Sequence, residues 1–365
     1  MMTGAMRWVV CTFTALLPAV GHGWGFDGHR RLARHMQDAL PTNSCLRLWI
    51  AANQSFSFQN AAADPDRWRI QSHPNYDPDE WPRHYLEIDW ASPIESYPHD
   101  WTEVEARFGQ YAVKNGQVPW RSEEYYGRLV TAFRNGDTAA ILTVLAHYSH
   151  YVTDAFSVLH DTKNFDPNGL HARWESDMLA VAANLDGITA AFPQYLGSVG
   201  RAHPRHHVFD IVIVGNGLLG QLLAADQAAS ASGTFDMPAF YSGVRELTAR
   251  RWADALTLYG SLIASAWIDA GSPLLAGMPS GCSMQVPQGE LVLRGYALPP
   301  PWQPPDAGSF ADAGVPEDGG SGIGPANPPP PPEPADPSCG CTGAGGGIAW
   351  VALVLLARRP AHHGK

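Results

Sequence analysis

Histidines and acids between residues 150 and 175 stand at spacings that suit metal binding. His150 and Asp154 are four residues apart. His171 and Glu175 repeat that spacing, and His160 lies between the two pairs. Residues four apart on a helix share one face, so each pair can direct an imidazole and a carboxylate at one point. Nitrogen and oxygen ligands of this kind suit Zn2+. We therefore predict that this segment binds zinc.

Two clusters nearer the start of the chain could add further ligands. One contains Asp64 and Asp66, either of which could bind a metal, and is followed by His84. The other runs from Trp24 to His29. A free α-amine and the carbonyl of the same residue form a five-membered chelate, which Trp24 can supply only if the chain is cleaved before it. His29 can complete that site.

The first 23 residues are typical of a secretory signal. Arg7 precedes an apolar run over 8–20, which is too short to span a bilayer comfortably. The small residues Gly21 and Gly23 occupy the positions that a signal peptidase reads. We predict a signal peptide over 1–23, whose removal makes Trp24 the mature N-terminus of an exported protein.

The C-terminal part changes composition. Residues 288–338 are rich in Pro and Gly, which predicts an extended, disordered linker. Residues 339–365 contain a Cys-Gly-Cys motif, an apolar run over 348–357 that predicts a short hydrophobic helix, and an Arg pair. This order resembles the C-terminal sorting tags of myxobacterial surface proteins. The resemblance implies secretion or attachment to the cell surface or outer membrane, with membrane contact through the C-terminal segment.

The intervening residues, 24–287, are predicted to form one all-α domain of seven to ten helices, because helical periodicity dominates there. One short strand could occupy 85–88, and the Trp-, Pro- and Asp-rich stretch 61–122 is expected to be largely irregular. The most strongly periodic segments are 29–40, 139–159, 173–184, 209–231 and 244–268.

Composition limits the classes of function. Of the 365 residues, 45% are hydrophobic, which is enough for a sizeable core. The formal net charge of −11 disfavours a protein that holds nucleic acid by neutralising many phosphates. It leaves room for a local cationic pocket made by metal ions. In an exported chain, Cys45 and Cys282 could form a disulfide or remain two free thiols.

Taken together, the candidate ligands over residues 24–283 resemble the zinc-dependent phospholipase C and S1/P1 nuclease superfamily. Its Pro-Asp-x-x-Arg motif matches 65–69, which favours Asp66 over Asp64, and its His followed by an aromatic residue matches His84-Tyr85. The resemblance implies an all-helical fold with three zinc ions. It assigns the first zinc to Asp66, His84, His150 and Asp154, the second to His160, His171 and Glu175, and the third to Trp24, His29 and the other oxygen of Asp154.

This resemblance implies hydrolysis of a phosphodiester by a zinc-bound hydroxide that attacks phosphorus. It also implies that Asp66 is both ligand and proton acceptor. The chain departs from the family pattern at Thr153, where a Gly is usual, and at Val158-Leu159, where Gln-Pro is usual. These departures affect the substrate pocket more than the metal ligands.

Three functions remain as alternatives. Glu175 and the short gap from His160 to His171 favour a phospholipase C acting on phospholipid. The Trp-Gly start and the Pro-Asp-x-x-Arg motif are more typical of a single-strand nuclease/3′-nucleotidase, which should carry aromatic residues beside the zincs for base stacking. The third alternative is a zinc-stabilised surface protein without turnover. An open, solvent-reachable coordination position would distinguish an enzyme from that structural protein.

Overall fold

A computed structural model describes residues 24–182, 184–191 and 204–284. Helices and connecting turns make up these residues, with no strand among them, so the predicted all-α fold is confirmed. All of them belong to the first of two units into which the chain divides, Met1–Pro304, and the second unit is Pro305–Lys365. The predicted signal peptide, Pro-rich linker and C-terminal helix lie outside the described residues.

Eleven α-helices and seven short 3-10 helices follow one another along this part of the chain. The α-helices are α1 Gly25–His35, α2 Cys45–Asn53, α3 Phe56–Ala61, α4 Asp64–Trp68, α5 Trp101–Phe108, α6 Val118–Asn135, α7 Thr138–Asp154, α8 Leu170–Glu175, α9 Leu185–Ala191, α10 Pro204–Ser230 and α11 Met237–Asp269. The 3-10 helices are Trp81–His84, Ile88–Trp90, Ile94–Ser96, Gly109–Tyr111, Val158–Asp161, Pro167–Gly169 and Asp177–Ala180.

Helix α7 lies at the centre of the packing, in contact with α1, α3, α6 and α11. A left-handed Gly136 ends α6 at φ 69°, a conformation that glycine adopts without strain. The next residue, Asp137, caps α7 by accepting hydrogen bonds from the amides of Ala139 and Ala140. Every residue from 148 to 154 is buried, so the polar side chains at the end of α7 face the protein interior.

Two of the predicted helices end earlier than expected. The segment predicted over 139–159 is helical only to Asp154, after which the amides bond three residues back, Phe156 to the Thr153 carbonyl and Ser157 to the Asp154 carbonyl. The buried guanidinium of Arg251 donates to the Phe156 carbonyl at 2.8 Å, which satisfies that group outside the helix. The chain therefore turns and places His160 on a separate 3-10 helix.

The helix predicted over 173–184 is wrong over most of its length. α8 ends at Glu175 because Ser176 leaves the helical conformation, and a 3-10 turn follows at Asp177–Ala180. The segment predicted over 29–40 begins earlier, at Gly25, and gives way to tighter turns after His35. The predictions over 209–231 and 244–268 are confirmed, because α10 and α11 cover them to within one residue.

The stretch 61–122 is only partly irregular. It contains α4, α5 and the first turn of α6, a helix that was not predicted. The strand expected over 85–88 is absent from the described residues there, where a single antiparallel bridge pairs Leu86 with Gly116. At Gly116, with φ 106°, an added Cβ would meet the Tyr85 carbonyl at 2.2 Å, so this close approach depends on glycine.

A disulfide and a long apolar helix are two further features of the described residues. Cys45 on α2 and Cys282 form a disulfide with a Cα–Cα distance of 5.8 Å, which decides between the two alternatives for these cysteines. Helix α10 is long and apolar enough to cross a membrane by those criteria alone. However, Val208, Phe209 and Val212 of this helix belong to the hydrophobic core, and α10 packs on α6 and α11.

Candidate metal centre

The end of α7 places His150 and Asp154 one turn apart on a buried face. Asp154 Oδ2 lies 3.1 Å from His150 Nε2 and 2.8 Å from His84 Nδ1. His84 is the last residue of the 3-10 helix Trp81–His84, and its Nδ1 lies 3.0 Å from His150 Nε2. All three side chains are fully buried. They form the first of three groups whose ligand atoms lie close enough to hold one metal ion.

His29 and Asp66 adjoin this first group. His29 Nε2 lies 3.2 Å from Asp154 Oδ1, so the two oxygens of Asp154 face different imidazoles, as a bridging carboxylate requires. Asp66 Oδ1 lies 3.6 Å from His150 Nε2, and Asp66 Oδ2 lies 3.9 Å from His29 Nε2. His29, Asp66 and His150 form a second group that could hold an ion.

The structure shows which of the two candidate acids, Asp64 or Asp66, lies in the metal centre. Asp66 is fully buried among the imidazoles. The Asp64 side chain is 31% exposed and pairs with Arg67 and with His147, 3.4 Å away, outside the candidate groups. Asp66 therefore occupies the position expected of the ligand, and Asp64 and His147 are its neighbours.

His160, His171 and Glu175 form the third group. His171 and Glu175 lie one helical turn apart on α8, and both are buried. His171 Nε2 is 2.6 Å from Glu175 Oε2. His160 Nε2 approaches the same Oε2 to 3.8 Å, and Ser157 donates a hydrogen bond to the other carboxylate oxygen. This set coincides with the one that the family resemblance assigns to the second zinc.

Buried polar atoms without a hydrogen bond mark the interior of this centre. Such atoms are expensive to bury unless a partner such as a metal ion satisfies them. Within the described residues, those in the three groups include His29 Nε2, Asp66 Oδ2, His84 Nε2, Asp154 Oδ1 and His171 Nδ1. Most of them point into the groups, so the residues present fit metal ions.

The outer nitrogens of three histidines are held by acceptors. His150 Nδ1 donates to the Ala62 carbonyl at 2.8 Å, and His160 Nδ1 donates to the His84 carbonyl at 2.8 Å. The Thr153 hydroxyl donates to the His150 carbonyl, so its oxygen accepts from His29 Nδ1 at 3.1 Å. In a neutral ring, each bond places the proton on Nδ1 and leaves Nε2 directed inward with a lone pair, the arrangement that metal-binding histidines use.

Thr153 thus has a role that its departure from the family pattern did not predict. Its side chain orients His29, and its backbone carbonyl accepts a hydrogen bond from the Trp24 indole at 2.9 Å. The other departure, Val158-Leu159, is fully buried, and Leu159 lines the cavity described below.

The protonation of the candidate ligands depends on their burial and on the charges around them. Burial raises the pKa of Asp154, but the imidazoles, His150 foremost, hold it well below its usual range. Burial also raises the pKa of Asp66, but Arg69 and the imidazoles lower it well below normal. Burial lowers the pKa of His29 and of His160. Burial also lowers the pKa of His150 and of His171, but the carboxylates of Asp154 and Glu175 beside them raise it above its usual value. Ionised carboxylates and neutral imidazoles are the forms that bind a metal ion.

Trp24 lies beside the centre through its side chain. The indole is fully buried and packs edge-on against Trp174 and Trp252, with ring centroids 4.8 and 5.6 Å away. Its carbonyl accepts a hydrogen bond from the Gly28 amide at 3.1 Å, at the start of α1. The terminal chelate by the Trp24 amine and carbonyl stays a prediction.

A cavity of about 270 Å3 opens onto the centre. It is lined by His84, His160 and His171 together with Arg69, Trp81, Tyr85, Glu87 and Phe165. Trp81 is 38% exposed and Phe165 is 52% exposed. Burial, which Asp89 reinforces, raises the pKa of Glu87 to about 7 even though the Trp90 indole donates to its carboxylate at 2.6 Å.

Glu80 is a buried carboxylate next to the centre that was not predicted. Its Oε1 lies 3.4 Å from His84 Nε2, on the side of the ring that faces away from Asp154. Burial raises its pKa, but His84 and Arg121 lower it to about 2. The signal was present in the sequence, because Glu80 precedes His84 by the same four residues that separate the other pairs.

The geometry places eight predicted side chains in one region: His29, Asp66, His84, His150, Asp154, His160, His171 and Glu175. It leaves open which metal they bind and whether they act on a substrate. In comparisons with known proteins, no family model and no curated protein matches this chain.

Proposed function

We propose that this chain is a zinc-dependent phosphodiesterase of the phospholipase C type. The observation that carries the proposal is the cavity of about 270 Å3, whose wall includes histidines from two of the three candidate metal groups. A purely structural zinc site is usually closed by protein ligands, whereas a catalytic site keeps a position open to substrate. The contact of this cavity with His160 and His171 therefore supports turnover over a role in stability alone.

The choice of zinc follows from the donor atoms. Each group combines imidazole nitrogens with carboxylate oxygens, a set that suits Zn2+ and differs from the all-oxygen sites of Mg2+ and Ca2+. When bound, zinc supplies a Lewis acid for a phosphoryl oxygen and makes water acidic enough to ionise near neutral pH.

Two residues of the chain have defined tasks in this proposal. Arg69 donates to Asp66 Oδ1 and also lines the cavity, where its positive charge attracts a phosphodiester anion. Asp66 Oδ2 takes no hydrogen bond from the described residues, so this oxygen is open to a metal ion or to a proton. The lowered pKa of Asp66 favours the ionised form that a ligand needs, and its role as proton acceptor stays a prediction.

The side chains around the cavity support a phospholipid with a cationic head group. Tyr85, Trp81 and Phe165 present aromatic surface, and Glu87 adds a carboxyl group. Aromatic faces attract quaternary ammonium ions such as choline, and a cation beside Glu87 also favours its ionised form. We therefore expect release of diacylglycerol and a phosphorylated head group.

The same aromatic residues give a specific reason to keep the nuclease alternative. Bases of a single strand stack on aromatic side chains with little dependence on sequence. Tyr85, Trp81 and Phe165 lie beside the centre, where the nuclease/3′-nucleotidase hypothesis expects such residues. The negative net charge of the chain does not help a long nucleic acid to bind, so this function ranks second.

The test compares the processed protein beginning at Trp24 with and without zinc, on phosphatidylcholine vesicles and on single-stranded DNA. Zinc-dependent release of phosphocholine supports the first function, and zinc-dependent release of nucleotides supports the second. A zinc-loaded protein that cleaves neither substrate class contradicts the proposal. Extra residues ahead of Trp24 should weaken one zinc site and lower activity, and full activity of that extended form contradicts the terminal chelate.

A further inference from the structure

His84 faces the metal centre through a different ring nitrogen from its neighbours. The imidazoles of His29, His150 and His160 hold their Nδ1 atoms on outer acceptors and turn Nε2 inward. His84 turns Nδ1 inward, 2.8 Å from Asp154 Oδ2. For Nδ1 to carry a lone pair toward a metal ion, the proton of His84 must sit on Nε2.

Glu80 is the acceptor that lies beside this nitrogen. Its Oε1 is 3.4 Å from His84 Nε2, slightly long for a hydrogen bond and within reach after a small rotation of the ring. His84 Nε2 has no other hydrogen-bond partner in the described parts of the chain. Both side chains are fully buried, so water does not substitute readily for the carboxylate.

Three further side chains from different elements fix Glu80. The Tyr151 hydroxyl on α7 donates to its Oε1. Arg83 donates to Oε2 at 2.8 Å, and Arg121 on α6 donates to Oε2 at 3.3 Å and to the Tyr151 hydroxyl at 3.0 Å. A buried carboxylate held by this many donors has a defined position, and it can impose that position on the ring beside it.

We propose that Glu80 is a positioning residue that keeps the proton of His84 on Nε2 and thereby presents Nδ1 to the metal centre. The inference rests on the metal centre of the proposed function and adds a residue to it. Outer partners of metal-binding histidines typically change metal affinity by about 10- to 100-fold when they are removed. We expect a loss of that size for one ion when the Glu80 carboxylate is replaced.

The first measurement is made on the native sequence and uses a variant only to assign signals. In the zinc-loaded full chain, labelled with 15N in histidine, long-range 1H–15N spectra distinguish protonated ring nitrogens from those that carry no proton. The His84 signals are assigned by their disappearance in His84→Gln. We expect Nε2 protonated and Nδ1 bare. A proton on Nδ1 with a bare Nε2 overturns the proposal, whatever any variant does.

The second measurement compares Glu80→Gln with a matched control. Glu124 is a carboxylate that also accepts a hydrogen bond from Arg121, at 2.8 Å, but its side chain is 44% exposed and is not among the groups of the centre. Zinc is titrated against a chelating dye in each protein. Glu80→Gln should bind one ion about 10- to 100-fold more weakly, whereas Glu124→Gln should match the native chain.

The outcomes separate this inference from the proposed function. A folded Glu80→Gln with native metal affinity and native His84 protonation overturns the positioning role. A native chain that binds zinc with the expected His84 spectrum but cleaves no phosphodiester contradicts the proposed function alone. If Glu80→Gln does not fold, the protonation of His84 in the native chain still decides the question.

Discussion

The hydroxyl of Thr153 offers a sharp test of how the centre is built. Thr153 is buried, and its oxygen accepts from His29 Nδ1 at 3.1 Å while its proton goes to the His150 carbonyl at 3.0 Å. Thr153→Val preserves the branched shape and removes both bonds. The His29 N–H is then left buried without its acceptor, while the His150 carbonyl keeps the hydrogen bond of helix α7.

The expected loss of unfolding free energy is about 1–3 kcal/mol, the cost of leaving one buried donor unsatisfied. For a urea dependence of about 3 kcal/mol/M, this loss lowers the unfolding midpoint by about 0.3–1 M. Because His29 also loses the partner that fixes its ring, we expect zinc affinity to fall by about 10- to 100-fold for one ion. Urea denaturation of the metal-free protein and a chelator competition measure the two effects separately.

Thr257→Val is the matched control. Thr257 is also fully buried in a helix, but its hydroxyl has no hydrogen bond within the described residues. Removing an unsatisfied hydroxyl should leave stability unchanged or raise it slightly. If Thr153→Val unfolds at the same urea concentration as Thr257→Val and binds zinc as the native chain does, Thr153 does not orient His29.

Three other predictions follow from the same structure. Asp66→Asn should lose most phosphodiesterase activity and at least one bound metal ion, measured by hydrolysis and metal analysis, whereas Asp64→Asn should keep both; equal losses in the two variants contradict the assignment. For Glu87, the pKa raised from 4.5 to about 7 means that the folded protein holds its proton more tightly than the unfolded chain. The unfolding free energy of the native chain relative to Glu87→Gln should therefore fall as the pH rises from 4.5 to about 7 and stay level above that. The expected fall is about 1–2 kcal/mol after discounting for solvent screening. A parallel pH dependence of the urea midpoints of the two proteins contradicts this. The Cys45–Cys282 disulfide joins residues 237 apart, so its reduction should cost about 2–5 kcal/mol in urea unfolding, and a Cys45→Ser/Cys282→Ser protein of native stability contradicts that estimate.

The sequence predicted the helical class and the inward-facing acids and histidines because both depend on local spacing. His150 and Asp154 fall one helical turn apart whatever the rest of the fold does. Long periodic segments such as 209–231 and 244–268 likewise became helices that end within one residue of the predicted bounds, although both helices begin earlier, at Pro204 and Met237. The end of α7 could not be predicted in this way, since it depends on Arg251, which reaches the Phe156 carbonyl from a helix 95 residues further along the chain.

The partners that orient the ligands were the least predictable part of the site. The position of Thr153 next to Asp154 gave no indication that its hydroxyl contacts His29, 124 residues earlier in the chain. The aromatic residues of the cavity were unpredictable for the same reason, because Trp81 and Phe165 are far apart in the sequence and meet only after the chain folds. The spacing of residues in the sequence identifies candidate ligands. Tertiary contacts determine which atom of each side chain faces the metal centre.

His150 belongs to two of the three candidate groups, yet it has a single nitrogen to offer, because the Ala62 carbonyl occupies the other. An ion that takes this nitrogen with His84 and Asp154 leaves His29 and Asp66 to find a different third donor. Loading of the neighbouring positions is therefore interdependent, and the order in which ions enter determines the apparent affinity of each. A zinc titration of this protein should be fitted with coupled sites. Two independent binding constants would misrepresent the data, because part of the binding free energy comes from the one imidazole that the two groups share.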